Sequence, residues 1–494
     1  MGRIALASWF VTLALAYFGL GRLVGRLAEG YDRAELSTVP LIATGLALLA
    51  SVVCTVVWLR HPGAAAPSPS GEPAKSRTGR RVFLLGGLSA LGGFAGTLAA
   101  VVARNSRWFT VTGQNIFMVR PEYKASVYRG EWSAARVVEY RRLGRTEVRV
   151  SDISLGSGSS TGGRQTSDVA REAIERGINY FDTAPDYSET GSELRLGAAM
   201  KGVRDRMFVA TKFCRPTGHL GPGNTVEEYM EAVNGSLRRL QTDWVDLVHV
   251  HSCDSVERLM DENVHEAFDR LKEQGKVRFL GVSTHTPNLE AVANAAIDSD
   301  RFDAMMLAYH FGAWPNLASV IDRAAQKDVG VVAMKTLRGS MHKELHWSRD
   351  ERDSFTQASF KWVLSNPSVA CLVISLWSSE QLDEFLFASG KRPEALDLAV
   401  LGRYEELTRS AHCRPHCGVC LSRCLEQLPI HDVLRQRMYF ENFGAQKEAI
   451  QQYSALEKQA DVCASCSAPC LNACPDGIPI AQRMREAHEI LRIG

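Results

Sequence analysis

The chain has 494 residues, of which 45% are hydrophobic and 23% are charged, and its formal net charge at pH 7 is +2. This composition excludes a disordered or collagenous protein, and the small net charge argues against a nucleic-acid-binding protein. At about 100 to 200 residues per domain, the length predicts two or three domains. Eight of the 12 cysteines lie between Cys413 and Cys474, which indicates a separate C-terminal module.

Three apolar stretches near the N-terminus predict membrane-spanning helices, because each approaches the roughly 20 residues that a helix needs to cross a bilayer. We expect spans at about residues 4–26, 37–59 and 82–103, within a membrane segment 1–104. The glycines of the third stretch are compatible with a helix in lipid, where no water competes for the backbone. A buried helix of a water-soluble domain is the alternative for any single stretch.

The loop between the second and third stretches, residues 60–81, carries five basic residues against the single acidic residue Glu72. Basic loops stay in the cytoplasm, so the third span is expected to place the rest of the chain on the opposite side. The segment Ser76–Leu84, with Arg80 and Arg81 before an apolar run, also resembles a twin-arginine export signal. A plain basic anchor is the alternative. The sequence therefore predicts membrane localisation with extracytoplasmic later domains.

Residues 105–137 show little pattern and are predicted to be a linker. From residue 138 to residue 400, eight short apolar runs alternate with amphipathic helical stretches. Eight strand–helix units over about 240 residues predict a (β/α)8 TIM barrel, an α/β fold whose active site lies at the carboxyl ends of the strands. The predicted strands are residues 152–156, 179–184, 208–213, 245–251, 279–285, 304–310, 329–336 and 369–376.

Four polar residues at the ends of neighbouring predicted strands are candidates for one catalytic site: Asp182, Tyr187, Lys212 and His251. A nearby ammonium group lowers the pKa of a phenol, so Tyr187 would donate a proton to a carbonyl oxygen while Asp182 holds Lys212 in place. His251 would polarise the same oxygen. Each residue alone is more often structural, as expected for His249, and only the joint placement favours catalysis.

Motifs in this region resemble those of the aldo/keto reductases. Gly177–Tyr187 with Gly191–Glu193 is similar to the first family signature, and Ser236–His251 is similar to the second. Tyr140–Arg145 resembles the hairpin that opens the family's barrel. The resemblance covers about residues 139–390 and implies hydride transfer between a nicotinamide and a small-molecule carbonyl or alcohol. It further implies that tyrosine is the general acid, that lysine and aspartate tune it, and that histidine orients the carbonyl.

The same resemblance implies a site for NAD(P), with Ser283 and Thr284 holding the nicotinamide amide. Lys335 is a candidate second active-site lysine, and a structural or cofactor-contacting role is the alternative. Two features depart from the family pattern. Met306 stands where the family has a glutamine, and Ser375–Gln381 offers no basic residue to an adenosine 2′-phosphate. The sequence therefore leaves three alternatives open: the chain binds NAD, it binds NADP, or it binds neither cofactor.

The C-terminal module, residues 401–494, contains an internal repeat in which three cysteines recur 50 residues later and the second slips by one position, Cys417 against Cys466. Such crowded cysteines are typical of cubane iron–sulfur sites, and the module resembles an α-helical ferredoxin with two [4Fe-4S] clusters. In such duplicated modules the fourth cysteine of each half, Cys424 or Cys474, ligates the other half's cluster. Zinc bound by CxxC pairs is the alternative. The candidate ligands are Cys413, Cys417, Cys420, Cys424, Cys463, Cys466, Cys470 and Cys474.

Together these features predict a membrane-anchored oxidoreductase whose reductase-like barrel is linked to [4Fe-4S] electron transfer. Its expected partners are a small-molecule carbonyl or alcohol, a redox partner protein and the lipid membrane, with no nucleic acid. Clusters carry single electrons and a nicotinamide carries a hydride, so a coupling between them requires a step that splits the electron pair. The alternative is a non-catalytic electron-transfer or iron–sulfur-binding protein with a degenerate reductase barrel.

Overall fold

The computed structural model divides the chain into two units, residues 1–119 and 120–494. The three predicted membrane spans and the basic loop lie almost entirely outside the described residues. No helix within the described part of the chain is long and apolar enough to cross a membrane. In the first unit, the hydroxyls of Thr12 and Ser51 share a hydrogen bond of 2.9 Å. The described residues are 11–12, 47, 49–51, 53, 129–158, 165–188, 190–312, 315–337, 354–414, 417–441 and 446–492.

Eleven strands are found among the described residues of the second unit, and eight of them form a closed parallel barrel. The strands are β1 Tyr140–Arg142, β2 Arg149–Ser151, β3 Ile153–Gly156, β4 Tyr180–Asp182, β5 Phe208–Arg215, β6 Gly218–His219, β7 Val245–Val250, β8 Val277–Thr284, β9 Ala304–Ala308, β10 Gly330–Met334 and β11 Cys371–Ser375. Around the barrel the order is β3, β4, β5, β7, β8, β9, β10 and β11, and β11 pairs with β3. Each predicted strand overlaps one of these eight strands, so the predicted (β/α)8 barrel is confirmed.

Helices surround the barrel and continue into the C-terminal module. They are α1 Ser167–Glu175, α2 Gly191–Met200, α3 Val226–Leu240, α4 Val256–Leu259, α5 Glu262–Glu273, α6 Leu289–Asp298, α7 Pro315–Gln326, α8 Phe355–Leu364, α9 Ser379–Leu386, α10 Ala395–Thr408, α11 Ile430–Glu441, α12 Gln446–Ser454 and α13 Ile480–Leu491. The start of α3 shows how the sequence sets a helix end. Thr225 and Glu228 form a reciprocal capping box there, which satisfies two backbone donors that the helix leaves free.

The amino-terminal end of the barrel is closed by the hairpin of β1 and β2, in the position that the family resemblance implies. Leu143 in this hairpin is completely buried and lies against Gly330 at the start of β10. A Cβ atom added to Gly330 would lie 2.7 Å from Leu143 Cδ1, so only glycine allows the hairpin to approach so closely. The functional site must therefore lie at the opposite, carboxyl end of the strands.

Residues beyond both predicted limits of the barrel, 138 and 400, belong to segments that pack on it. Trp132, which lies in the predicted linker, is buried beside Phe387, and the backbone N–H of Ala134 donates to Asp383. At the other limit, residue 400 lies in the middle of α10. Lys361 on α8 binds Asp397 on α10 at 3.0 Å, which ties that helix to the barrel.

The C-terminal module is helical and has its own apolar core. Helices α11 and α13 each follow a proline, Pro429 or Pro479, and pack against each other and against α12. Tyr453 is buried at their centre, where its hydroxyl contacts His488 Nδ1 at 2.7 Å and accepts a hydrogen bond from the backbone N–H of Ala460. The duplicated sequence thus folds around one shared core.

Candidate active site

The four candidate catalytic residues lie together at the carboxyl end of the barrel. Asp182 ends β4, Lys212 lies in the second half of β5, and His251 directly follows β7. Tyr187 lies in the turn that follows β4. Neighbouring parallel strands bring their carboxyl ends to one rim, so residues that are distant in sequence meet there. The structure therefore brings together the set that the sequence predicts.

Asp182 and Lys212 form a buried ion pair at the floor of this site. Lys212 Nζ donates to Asp182 Oδ1 at 2.6 Å and to the carbonyl oxygen of Thr183 at 2.7 Å. The two side chains are only 5% and 1% exposed, respectively, so water screens their attraction little. Burial raises the pKa of Asp182, and the lysine charge offsets part of that increase.

Tyr187 and His251 face each other above the ion pair. The phenol oxygen of Tyr187 lies 3.5 Å from His251 Nε2, and the two rings meet edge to face with centroids 5.7 Å apart. Lys212 Nζ lies 4.7 Å from the centroid of the tyrosine ring. A carbonyl oxygen placed between the phenol and the imidazole would be within reach of two hydrogen-bond donors.

The electrostatics of Tyr187 differ from the sequence-based expectation. Burial raises the pKa of its phenol well above 10, and the charges of Asp182 and Asp186 raise it further. The expected net lowering of this pKa is wrong, because burial and the two carboxylates outweigh any effect of Lys212, whose hydrogen bonds are directed to Asp182 and Thr183. Burial also lowers the pKa of His251 well below 6.5. At neutral pH the site therefore presents a protonated phenol and a neutral imidazole.

His249 has the structural position that the sequence favours for it. Its side chain is completely buried in the barrel, and its ring lies against Gly281 on the neighbouring strand β8. A Cβ atom on Gly281 would approach His249 Nδ1 to 2.6 Å. The ring therefore fills space that this glycine leaves open.

The candidate cofactor residues lie on the same rim. Ser283 and Thr284 end β8 and are buried, and Ser283 Oγ accepts a hydrogen bond from the backbone N–H of Ser252 at 2.9 Å. Met306 on β9 is also buried, directly opposite Ser283 in the strand register. Lys335 follows β10 with a φ of 57°, a left-handed conformation that residues other than glycine adopt at a cost.

A residue of the C-terminal module reaches this rim. Lys335 Nζ donates to the hydroxyl of Tyr439 on α11 at 2.6 Å. The pKa of Tyr439 is lowered because Lys335 and Arg435 outweigh the effect of burial. Arg414 supports the same docking by donating to the carbonyl oxygen of Gly312 at 3.0 Å. The sequence predicts an amphipathic helix here, but it carries no signal for which of its faces docks on the barrel.

Three further residues that the sequence analysis did not select surround His251. Asp186, Cys214 and His219 lie next to its imidazole, with the His219 and His251 ring centroids 4.2 Å apart. Asp186 Oδ1 lies 3.7 Å from His251 Nδ1. Together with His251 they make two histidines, a cysteine and an aspartate, and these residue types are the only sequence signal for them, because their spacing matches no compact motif.

The eight cysteines of the module are free thiols that fall into two groups. Burial raises the pKa of Cys413, and the neighbouring thiols of the first group raise it further. Burial likewise raises the pKa of Cys463 to about 11, with contributions from the second group. Each group takes three cysteines from one half of the repeat and the fourth from the other half. The groups are Cys413, Cys417, Cys420 and Cys474, and Cys424, Cys463, Cys466 and Cys470.

The donor set of each cysteine group fits an iron–sulfur cluster. Four cysteine thiolates are the usual ligands of a [4Fe-4S] cluster. Apolar side chains such as Leu421 and Val462 pack in the same core cluster as six of these cysteines, all but Cys417 and Cys466. The exchange of Cys424 and Cys474 between the halves has the form that the ferredoxin resemblance implies.

Comparison with known proteins gives consistent matches to the barrel. A model of the aldo/keto reductase family matches residues 152–353. L-galactose dehydrogenase of Arabidopsis thaliana is 28% identical over 279 residues, which cover 50% of this chain and 86% of that protein. The uncharacterised oxidoreductase YrpG of Bacillus subtilis is 30% identical over 230 residues, which cover 41% of this chain and 68% of that protein.

Among solved structures, the holo form of aldo-keto reductase AKR11C1 from Bacillus halodurans is 25% identical to this chain. It matches with a TM-score of 0.44, and the match covers 54% of this chain and 95% of that one.

Proposed function

The chain belongs to the aldo/keto reductase family and is an oxidoreductase, and we propose that it interconverts a small-molecule carbonyl and its alcohol at the mouth of the barrel. The observation that carries this proposal is the contact of Tyr187 with His251, 3.5 Å apart, above the buried pair of Asp182 and Lys212. These residues are the acid, the orienting group and the supporting pair that carbonyl reduction requires.

In the reducing direction, Tyr187 gives its phenol proton to the carbonyl oxygen as the carbon receives a hydride. His251 holds the same oxygen through the proton on Nε2. Lys212, fixed by Asp182, places a positive charge near the tyrosine ring and so stabilises the phenolate that remains after the transfer. In the oxidising direction, the phenolate takes the alcohol proton back.

A nicotinamide would supply the hydride when bound. The buried hydroxyls of Ser283 and Thr284 at the end of β8 are suited to hold a carboxamide, and Lys335 lies on the same rim. Since Ser375–Gln381 offers no basic side chain to a 2′-phosphate, we do not assign NAD or NADP. Titration of the purified full-length chain with NADH and with NADPH, followed by the fluorescence of the reduced nicotinamide, tests this part of the proposal.

The C-terminal module is proposed to hold two [4Fe-4S] clusters that exchange single electrons with a redox partner protein. The two groups of four free thiols, each completed by a cysteine from the other half of the repeat, support this assignment. Docking of α11 at the barrel rim, through Lys335 and Tyr439, places the module beside the proposed catalytic site. Iron and zinc analysis of anaerobically purified protein distinguishes clusters from the zinc alternative.

We also propose that the N-terminal segment anchors the protein in a membrane and that the barrel lies outside the cytoplasm. The support comes from the three apolar stretches and from the excess of basic residues between the second and the third. The segment Ser76–Leu84 would then serve as a twin-arginine-like export signal, a route used by proteins that fold before they cross.

The second candidate function is electron transfer by the clusters with a barrel that no longer uses a nicotinamide. Met306, which fills the barrel interior at the position of the family's glutamine, favours this candidate. The nicotinamide titration separates the two. Binding at micromolar concentration supports the reductase, whereas failure of both cofactors to bind supports the electron-transfer protein.

A further inference from the structure

A second chemical group lies beside the proposed acid. Asp186, Cys214, His219 and His251 each offer one ligand atom, and these four atoms all lie within 4.8 Å of one another. They comprise a carboxylate oxygen, a sulfur and two imidazole nitrogens. Among the described residues, this is the one group of histidine, cysteine and acidic side chains with that compactness.

The fold brings these residues together through three neighbouring strand ends. Cys214 near the end of β5 and His219 on β6 are direct partners in an antiparallel pair, so their side chains leave the hairpin on the same face. Asp186 comes from the turn after β4, and His251 directly follows β7, on the two sides of β5. The group is therefore set by the barrel scaffold and not by one mobile segment.

Two buried polar atoms in this group have no hydrogen-bond partner among the described residues, His251 Nδ1 and Asp186 Oδ1. They lie 3.7 Å apart, which is too long for a hydrogen bond between them. His219 Nε2 lies 3.6 Å from the other oxygen of Asp186. Ligands on one tetrahedral zinc ion are about 3.3 to 3.8 Å from one another, given metal–ligand distances of about 2.0 to 2.3 Å. The two separations of 3.7 and 3.6 Å, one to each oxygen of Asp186, fall in this range, and the four ligand atoms all lie within 4.8 Å of one another.

From this geometry we propose that Asp186, Cys214, His219 and His251 bind one Zn²⁺ ion. Thiolate, imidazole and carboxylate are the ligand types that zinc takes in proteins, in a tetrahedral arrangement. Cys214 is completely buried and the His251 side chain is 8% exposed, whereas Asp186 and His219 are 24% and 39% exposed. The ion would enter from the side of His219 and lie against the buried sulfur.

Zinc at His251 Nδ1 would position the histidine for the carbonyl. With Nδ1 bound to metal, the ring carries its proton on Nε2, the nitrogen that faces the phenol oxygen of Tyr187. His251 is then a hydrogen-bond donor toward the carbonyl oxygen in every protonation state that binds the metal. This consequence for catalysis rests on the proposed function, but the binding of zinc does not.

The test uses the full-length chain with its clusters, dialysed against buffered Zn²⁺ and analysed for metal content and by zinc X-ray absorption. We expect one zinc per chain with one sulfur at about 2.3 Å and the remaining ligands, nitrogen and oxygen, at about 2.0 to 2.2 Å. Cys214→Ser should remove the sulfur from that shell, and His219→Ala should weaken zinc binding by at least about tenfold. Because His219 is partly exposed, its variant is expected to fold.

Cys253→Ser is the matched control, since Cys253 is also a buried free thiol of the barrel but does not belong to the group. Absence of bound zinc overturns the proposal. A shell of four sulfurs also overturns it, since the metal would then be in the cysteine module, and so does a shell that Cys214→Ser leaves unchanged. Zinc bound as expected in a protein that turns over no carbonyl would leave the site standing and count against the proposed function alone.

Discussion

Lys212 Nζ lies 2.6 Å from Asp182 Oδ1, and this pair is almost completely removed from solvent at the floor of the barrel mouth. Breaking a buried ion pair by removing one partner destabilises a protein by about 3 to 5 kcal/mol, because the remaining charge is left unpaired. The contact therefore makes a prediction about stability as well as about catalysis.

We expect Lys212→Met to lower the free energy of unfolding of the barrel by about 3 to 5 kcal/mol and to abolish carbonyl turnover. The double variant Asp182→Asn with Lys212→Met should recover much of that stability, since no buried charge remains, but none of the activity. Urea unfolding followed by tryptophan fluorescence measures the stability of both variants, and a carbonyl reduction assay measures their activity. A double variant no more stable than Lys212→Met would show that the two side chains are not energetically coupled.

Tyr187→Phe should reduce kcat for carbonyl reduction by about 10² to 10⁴, the usual contribution of a general acid. The substitution removes one hydroxyl whose nearest polar contact is 3.5 Å away, so folding and nicotinamide affinity should change little. Steady-state kinetics together with cofactor titration separates the two effects. Turnover at the parent rate would exclude Tyr187 as the proton donor.

The pH dependence of carbonyl reduction should show no inflection at the ordinary pKa of a histidine or of a tyrosine. The pKa of His251 is lowered by burial, so the ring stays neutral as pH falls through 6.5, and the pKa of Tyr187 is raised by burial, so the phenol stays protonated as pH rises through 10. We therefore expect that neither group causes kcat/KM to rise or fall between pH 6.5 and pH 10. An inflection near pH 6.5 that disappears in His251→Asn would contradict this expectation.

Anaerobically purified protein should contain close to eight irons per chain, absorb broadly in the visible range and give a paramagnetic signal when reduced, as expected for two [4Fe-4S] clusters. Cys474→Ser should remove the cluster held with Cys413, and Cys424→Ser the cluster held with Cys463. Cys371→Ser, at a buried thiol of β11, is the control and should leave iron content unchanged. Colourless protein that contains zinc in the module would refute the cluster assignment.

Alkaline phosphatase fused after Arg107 should be active, because the three proposed spans with an internal basic loop would place that residue outside the cytoplasm. A fluorescent protein that matures only in the cytoplasm should be dark when it is fused there through a route that exports unfolded chains. The opposite pair of results would place the barrel next to the cytoplasmic nicotinamide pool.

Much of the barrel and its four central residues could be predicted because the information is local. Each strand is a short apolar run, and each candidate residue lies near or just beyond the carboxyl end of such a run, so the rules for parallel strands bring them together. Helix α2 shows where this fails. Nine of its ten residues are buried, so it has no polar face to give a helical period. A Cβ atom on its Gly197 would lie 2.8 Å from the backbone of α3, which reflects a close helix contact that only the fold defines.

The site also differs from the sequence-based expectation in features that depend on tertiary contacts. Whether Lys212 lowers the phenol pKa depends on where its ammonium points, and the sequence does not contain that direction. Asp186, Cys214 and His219 meet only because the β5–β6 hairpin turns back at the mouth of the barrel. The docking of α11 on Lys335 is likewise a contact between residues that lie 104 positions apart in the sequence, Lys335 and Tyr439.

The hydrogen bond between Lys335 and Tyr439 makes the rim of the proposed catalytic site depend on the folding of the C-terminal module. Tyr439 lies on the helix between the two cysteine halves, so a module that fails to fold withdraws this residue from the barrel rim. Binding of a metal or cluster by cysteine-rich modules supplies much of their folding free energy. If the module holds the proposed clusters, a preparation without them would therefore lose the contact of Tyr439 with Lys335 at the barrel rim as well as the proposed electron carriers. Low activity in such a sample would report on incomplete maturation, and rates measured on it should not be attributed to electron supply alone.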